Sequence, residues 1–445
     1  MQVSRYITRL AGGILLALFI MSSKAQAQTV EGFSPEVVRL VAGMYVDLES
    51  IYKDIHSHPE LGFEEVRTAS RLAADMRALD FQVTEKVGKT GVVAIYRNGA
   101  GPTVMVRTEL DALPMEEKTG LAYASKVTAV SNGRETFVAH SCGHDIHMAS
   151  WVGTARVLMA MKDRWQGTLM FIAQPAEELV SGAKAMLTDG LFTRFPKPDF
   201  AFGLHVLPTP HGTTITYNIG AVTSNADRLE ITFKGRGGHG SAPDKAIDPI
   251  AIAAHFITDV QTVVSREKDP MEFGVVTIGA IQAGTVGNII PDSATLRGTI
   301  RSHDAGVRDK LLAGVRRTAE AVAMMAGAPQ PDVTLAEVAV AVINSEEVVI
   351  RTESVLKAVF GSKSVQRAPP ITASEDFSVF VNEGVPSMFF FVGVYGPRQV
   401  AASKEPGGKP LPFNHSPFFA PAPEPAIKTS VQAMSLVVLN MLTTR

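Results

Sequence analysis

Cysteine is almost missing from this chain of 445 residues: Cys142 stands alone, so no internal disulfide can form. Charge is sparse as well, at 19% of residues, and no long basic run occurs. With a formal net charge of -2, the chain lacks the electrostatic footprint of a nucleic-acid-binding protein. Internal repeats and low-complexity tracts are absent, which excludes a solenoid array or a disordered scaffold. Beyond the N-terminus there is no apolar run long enough to cross a bilayer.

The N-terminus reads as a separate segment. Arg5 and Arg9 precede the apolar run Leu10–Met21, which is too short to span comfortably, and Ala25-x-Ala27 fits a signal-peptidase site. Residues 1–27 are therefore expected to be a secretory signal cleaved after Ala27, leaving a periplasmic or secreted protein with no membrane attachment. Loss of Arg5, Arg9 and Lys24 takes the formal charge from -2 to -5. In an oxidising compartment an unpaired thiol is a liability unless it is put to use, and metal ligation is one such use.

A chain of this length is expected to hold two domains. Apolar strands at Val92–Arg97, Thr103–Leu110, Thr168–Ala173 and Phe200–Val206 alternate with helical patterns at Ile146–Lys162 and Ala183–Asp189. That alternation predicts an α/β fold with a mostly parallel sheet. From Thr223 the order changes to β-α-β-β-α-β, with strands at Arg228–Lys234, Gly274–Gln282, Ala294–Ser302 and Asp332–Val340 and helices at Pro249–Ser265 and Ala305–Met325. This is the order of a ferredoxin-like α+β unit, with Gly279–Pro291 as its Gly-rich loop. The expected division is 28–222 with 336–445 as the first domain and 223–335 as an insert. A helix near Glu346–Phe360, a strand at Met388–Val392 and a helix over Pro425–Leu442 complete the first domain.

In parallel α/β sheets ligands sit beyond the carboxyl ends of the strands. Here one strand leads into Asp111, another into Glu177-Glu178, and a third ends at His205. The segment His140-Ser-Cys-Gly-His-Asp adds a thiol and an imidazole two residues apart across a glycine, Cys142 and His144, a pair that can face one soft divalent ion. Adjacent side chains at a strand end point apart, so one of Glu177 and Glu178 can bind metal while the other handles a proton. Hydrolysis of an amide needs that division, because a divalent metal lowers the pKa of water to about 7 and a carboxylate must move the proton to the leaving amine. His415, in Phe413-Asn-His-Ser-Pro417, is a further candidate ligand. His239, flanked by glycines in the insert, is a candidate for stabilising a developing oxyanion. Asn288 and Arg301 are candidates for holding a substrate carboxylate. His56, His58, His211, His255 and His303 read as structural or surface residues.

These motifs together resemble the amidohydrolase branch of the M20 metallopeptidase family over essentially the whole chain after the signal. The resemblance rests on His58-Pro-Glu-Leu-Gly-Phe-Glu64, Arg107-Thr-Glu-Leu-Asp-Ala-Leu-Pro114, His140–Asp145, Gln174-Pro-Ala-Glu-Glu178 and Gly203-Leu-His205. It continues through Gly237–Pro243, Gly287–Pro291, Ser374-Glu-Asp376 and Asn414-His415. It implies a zinc-peptidase-like catalytic domain and a two-metal site. Cys142, His144, Glu178, His205 and His415 are the implied ligands, Glu177 the general base, and Asp111 a residue behind the ligands that orients them. It also implies that the insert is a lid and homodimerisation domain, often lending His239 to the partner's site. Glu109 departs from the pattern, since the branch often has Asp there.

The function expected is hydrolysis of N-acyl amino acids or similar small amides by metal-activated water with a Glu base. The two divalent ions are expected to be zinc or manganese, with cobalt or nickel as further candidates. The alternatives are a dipeptidase or carboxypeptidase using the same residues, and a binding protein of the same fold that has lost catalysis.

Overall fold

The computed structural model describes residues 30, 32–208 and 214–443. The expected signal segment 1–27, its expected cleavage point at Ala27, and His211 lie outside the described residues. The described chain forms two compact units: one from residues up to Gly220 with Asn344–Ala368 and Val379 onward, the other from Ala221–Ile343 with Pro369–Ser378.

The first unit is built on an eight-stranded sheet. Its strand order is Gln82–Val87, Gly91–Asn98, Gly167–Gln174, Thr103–Glu109, Phe200–Leu207, Ser387–Gly393, Ile215–Tyr217 and Val365–Arg367. The four central strands, from Gly167–Gln174 to Ser387–Gly393, run parallel. Antiparallel pairs appear only toward the two edges of the sheet. The central strands are buried along nearly their whole length, as the unbroken apolar runs in Val104–Val106, Leu169–Ala173 and Met388–Val392 require when helices cover both faces.

The helix His144–Ala160 is buried around almost its entire circumference, and it packs against Ser34–His56 and Pro423–Leu442. Trp151 meets Phe171 at 5.2 Å between ring centroids, and Phe171 in turn meets Phe81 at 5.6 Å. Such edge-on pairs add about 0.5–1.5 kcal/mol each beyond the apolar area they bury. This packing fixes the N-terminus of the His144–Ala160 helix at the carboxyl edge of the sheet. No described helix is long and apolar enough to cross a membrane.

The second unit is a four-stranded antiparallel sheet in the order Gly274–Ala283, Ser293–Ser302, Asn225–Lys234, Asp332–Ala339. With helices Pro249–Thr262 and Ala305–Met325, this is the expected β-α-β-β-α-β arrangement, around a core that includes Phe233, Phe256, Leu296 and Leu311. Two expectations need correction. The unit does not stop at 335, because Asp332–Ala339 pairs along Asn225–Lys234 as far as Ala226 opposite Ala339. It also takes in residues 369–378, where the Ser224 N–H donates to the Ala373 carbonyl (2.8 Å) and the Ser224 hydroxyl to the Thr372 carbonyl (2.8 Å). The loop expected at Gly279–Pro291 is shorter than that. Its first five residues continue the strand past an irregularity between Ile278 and Ala280, so Gly279 marks a bulge rather than a turn.

One histidine read from sequence as unremarkable is a core ion-pair residue. His56 is 2% exposed, with Nδ1 2.6 Å from Asp145 and Nε2 3.1 Å from Glu117. Burial opposes its charge, but the two carboxylates overcome this and raise its pKa to about 9. A histidine charged more readily when folded stabilises fully below its ordinary value near 6.5. That contribution disappears as pH rises through about 9. Thermal unfolding of the wild type should therefore lose stability between pH 6.5 and 9. His56→Gln should flatten that slope, and His56→Ala, which strands Asp145 in the core, should cost about 3–5 kcal/mol in denaturant titrations.

Candidate metal centre

Asp111 follows the strand Thr103–Glu109, Glu177 and Glu178 follow Gly167–Gln174, and His205 lies near the end of Phe200–Leu207. The strands are parallel, so all four residues come to one sheet edge. Cys142 and His144 reach the same edge from the start of the His144–Ala160 helix. Between them Gly143 adopts φ 92°, and a Cβ there would strike the Val206 side chain, so the bend that brings thiol and imidazole together needs glycine. His415 arrives on a loop, itself in a left-handed conformation at φ 66°, with its N–H donating to the Ser141 carbonyl at 2.8 Å.

The Cys142 sulfur belongs to two donor groups. One joins it to His144 and His205, the other to Glu178 and His415, and the ligand atoms of each group lie within 4.8 Å of one another. A further group joins His144, Glu177 and Glu178. Closest approaches are 3.4 Å from Cys142 Sγ to His205 Nε2, 3.3 Å from His415 Nε2 to Glu178 Oε1, and 3.7 Å from His144 Nε2 to Glu177 Oε2.

Hydrogen bonds set the imidazole tautomers. His144 Nδ1 lies 2.8 Å from the Asp111 carbonyl and His205 Nδ1 lies 2.8 Å from the Val206 carbonyl. A carbonyl can only accept, so both Nδ1 atoms carry a proton; neutral His205 keeps its Nε2 lone pair for the centre, while His144 offers Nε2 once its second proton is displaced. Among the described residues, buried His144 Nε2 and Glu178 Oε1 make no well-aligned hydrogen bond, although Glu178 Oε1 faces His415 Nε2 at 3.3 Å. Burial, with Glu178 and Glu177 nearby, pushes the Cys142 thiol well above its ordinary value. Burial and His147 hold His205 well below its ordinary value, so it is neutral. Burial opposes charge on His144 too, yet Asp111, Glu109 and Glu178 outweigh it and raise its pKa to about 10. A thiol that resists ionisation, a ring that holds a proton and several carboxylates together make a site that fits divalent cations, which displace those protons on binding.

A second ring of residues holds the donors in place. Asp111 accepts from the Glu178 N–H at 2.9 Å through Oδ2. The Asn414 amide donates to the carbonyls of Cys142 (2.8 Å) and Val206 (3.2 Å), tying the His415 loop to two ligand-bearing segments. His147 accepts from the Val206 N–H at Nε2 (2.9 Å) and donates from Nδ1 to Glu109 (2.9 Å). Burial opposes ionisation of Glu109, but Arg107 and His147 overcome it and hold its carboxyl far below the usual range. The longer side chain at 109 thus steadies the His205 strand through His147. Sequence reading missed His147 and Asn414. The first was findable, because it lies three residues beyond His144 on one helical face.

In the second unit, His239 lies on a short ribbon paired with Ile289–Ile290, and the Gly240 N–H donates to the Asn288 carbonyl at 2.8 Å. His239 Nδ1 lies 3.1 Å from the Ser241 N–H, which donates to it and leaves Nε2 to carry the ring proton. Both His239 and Asn288 are exposed. Arg301 is set apart in its bonding, since its guanidinium donates to the Ser374 hydroxyl.

Comparison with known proteins supplies the family. The model of peptidase family M20/M25/M40 matches residues 105–407. The chain belongs to the M20 family. It is 37% identical to a hippurate hydrolase of Campylobacter jejuni over 348 residues, 78% of this chain and 87% of that one. It is 36% identical to thermostable carboxypeptidase 2 of Saccharolobus solfataricus over 348 residues, 77% of this chain and 84% of that one. A Bacillus subtilis M20 protein described as a dinuclear metal-binding peptidase superposes with a TM-score of 0.73 at 30% identity, covering 90% of this chain and all of the other. This M20 protein is a metal-dependent hydrolase acting on amide bonds.

Asn414→Ala should leave the fold intact but lower zinc affinity about 10- to 100-fold in equilibrium dialysis, as loss of residues that orient ligands generally does.

Proposed function

We propose that this protein hydrolyses N-acyl amino acids, or closely similar small amides, at a two-metal centre. The observation that carries the reading is the Cys142 sulfur shared between two donor groups with the Glu177 carboxylate beside them. In this reading Cys142, His144 and His205 would hold one divalent ion, and Cys142, Glu178 and His415 would hold the other. The ions supply Lewis acidity and acidify water at neutral pH. A thiolate with imidazoles favours zinc, while the carboxylates also suit manganese.

Glu177 takes the proton from the attacking water and returns it to the amine nitrogen as the C–N bond breaks. Asp111 keeps the Glu178 backbone and the His144 ring in register. His239 donates from Nε2 to the oxyanion that develops at the carbonyl oxygen. Arg301 and Asn288 hold the substrate carboxylate. Two copies pair through the second unit, a reading supported by its edge strand Gly274–Ala283, which exposes Val275 and Ile281. The N-terminal segment directs export.

Purified protein, chelated and then reloaded with zinc, manganese, cobalt or nickel, should release amino acid from one or more of the N-acetyl, N-benzoyl, indole-acetyl and long-chain acyl substrates. Glu177→Ala should lower kcat about 10²- to 10⁴-fold. Hydrolysis of dipeptides alone would assign a peptidase instead. Full activity in Glu177→Ala would refute the base. Expressed from the full sequence, the exported protein should begin at Gln28 by mass spectrometry, and an intact N-terminus would contradict the cleavage.

A further inference from the structure

The turn that carries Glu177 and Glu178 is strained. Ala176 has φ 49° and Val180 has φ 50°, a region that non-glycine residues seldom enter and β-branched ones avoid. Such strain is costly and persists only where the surroundings over-determine it. Within the turn, the Val180 N–H donates to the Glu177 carbonyl at 2.6 Å and the Gly182 N–H to the Ala176 carbonyl at 3.2 Å. A Cβ on Gly182 would overlap the Pro175 carbonyl, so the chain closes there only with glycine.

One clamp comes from far away in sequence. Glu65, in the segment after His58-Pro-Glu-Leu-Gly, is fully buried. Its Oε1 accepts from the Ala176 N–H at 2.8 Å, and its Oε2 accepts from the Thr90 hydroxyl. Among the described residues it forms no ion pair with Lys, Arg or His. Burial raises its carboxyl to about 7, against the pull of the Thr90 and Ala176 hydrogen bonds. A buried carboxyl with no cation costs stability that an apolar residue would not. Here the carboxyl satisfies the amide of the strained residue immediately before Glu177.

We propose that Glu65 is a positioning residue, whose grip on the Ala176 amide holds the turn that aims Glu177 and Glu178 at the metal centre. This rests on the reading of Glu177 as base and Glu178 as ligand. The action is indirect, so its loss weakens kcat and metal retention while substrate binding is spared.

The test compares Glu65→Ala, Glu65→Gln, Thr90→Val and Glu177→Ala in the full chain. The readouts are kcat and KM on the hydrolysed acyl amino acid, zinc affinity by dialysis, melting temperature, and amide exchange of a peptide spanning residues 174–182. Glu65→Ala should lower kcat and zinc affinity about 10- to 100-fold with KM nearly unchanged, and should speed exchange in that peptide. Glu65→Gln keeps a carbonyl for Ala176 and offers an N–H to the Thr90 oxygen, so it should recover kcat to within about threefold of wild type. Thr90→Val, which loosens the carboxyl without removing it, should fall between the two and keeps the test alive if Glu65→Ala does not fold. Wild-type kcat and exchange in Glu65→Ala would overturn the proposal. Equal loss of kcat and melting temperature in both Glu65 variants would also overturn it, in favour of a purely structural role. An inactive Glu177→Ala beside a fully active Glu65→Ala would sink only the positioning role, whereas an active Glu177→Ala would sink the reading beneath it.

Discussion

A buried thiol surrounded by carboxylates and imidazoles is electrostatically costly, and the first unit is arranged around meeting that cost. Desolvation and the nearby Glu177 and Glu178 oppose ionisation of Cys142, while neighbouring acids favour a proton on His144. Divalent ions would relieve both at once, because they would replace the protons and engage Nε2 of His144 and Oε1 of Glu178, neither of which makes a well-aligned hydrogen bond among the described residues. The parallel sheet supplies the geometry. Three neighbouring strands end at one edge, and each delivers at least one acid or imidazole there.

Around these donors many of the supporting hydrogen bonds fall on backbone. Asp111 takes the Glu178 amide, Glu65 takes the Ala176 amide, Asn414 bridges the Cys142 and Val206 carbonyls, and His147 takes the Val206 amide. Each of these residues fixes the backbone from which a candidate donor starts. A site built this way holds its shape through neighbours that never touch the substrate.

The candidate donors that the structure brings to one edge were legible in the sequence because each sits in a recognisable local setting. Cys142 and His144 flank a glycine, and Asp111, Glu177 and His205 follow apolar strands. The order of the second unit was legible from its alternation of strand and helix periods. Its extent was not: residues 369–378 join it through hydrogen bonds to Ser224, about 150 residues away, and no local pattern announces that. The same holds for Glu65, whose partner Ala176 lies 111 residues on. Short edge strands such as Ile215–Tyr217 and Val365–Arg367 carry too few residues to show a period. His56 read only as a structural or surface histidine, because the two carboxylates that pair with it are distant in sequence.

In the proposed centre one thiolate would serve two metal ions. The decisive experiment is X-ray absorption on zinc-loaded protein, with metal content measured on the same sample. Two zinc ions per chain are expected, with a sulfur in the coordination shell and a metal–metal distance of about 3.5–4 Å, and the sulfur should be lost in Cys142→Ser. A single zinc ion per chain, or two ions with only nitrogen and oxygen around them, would contradict it.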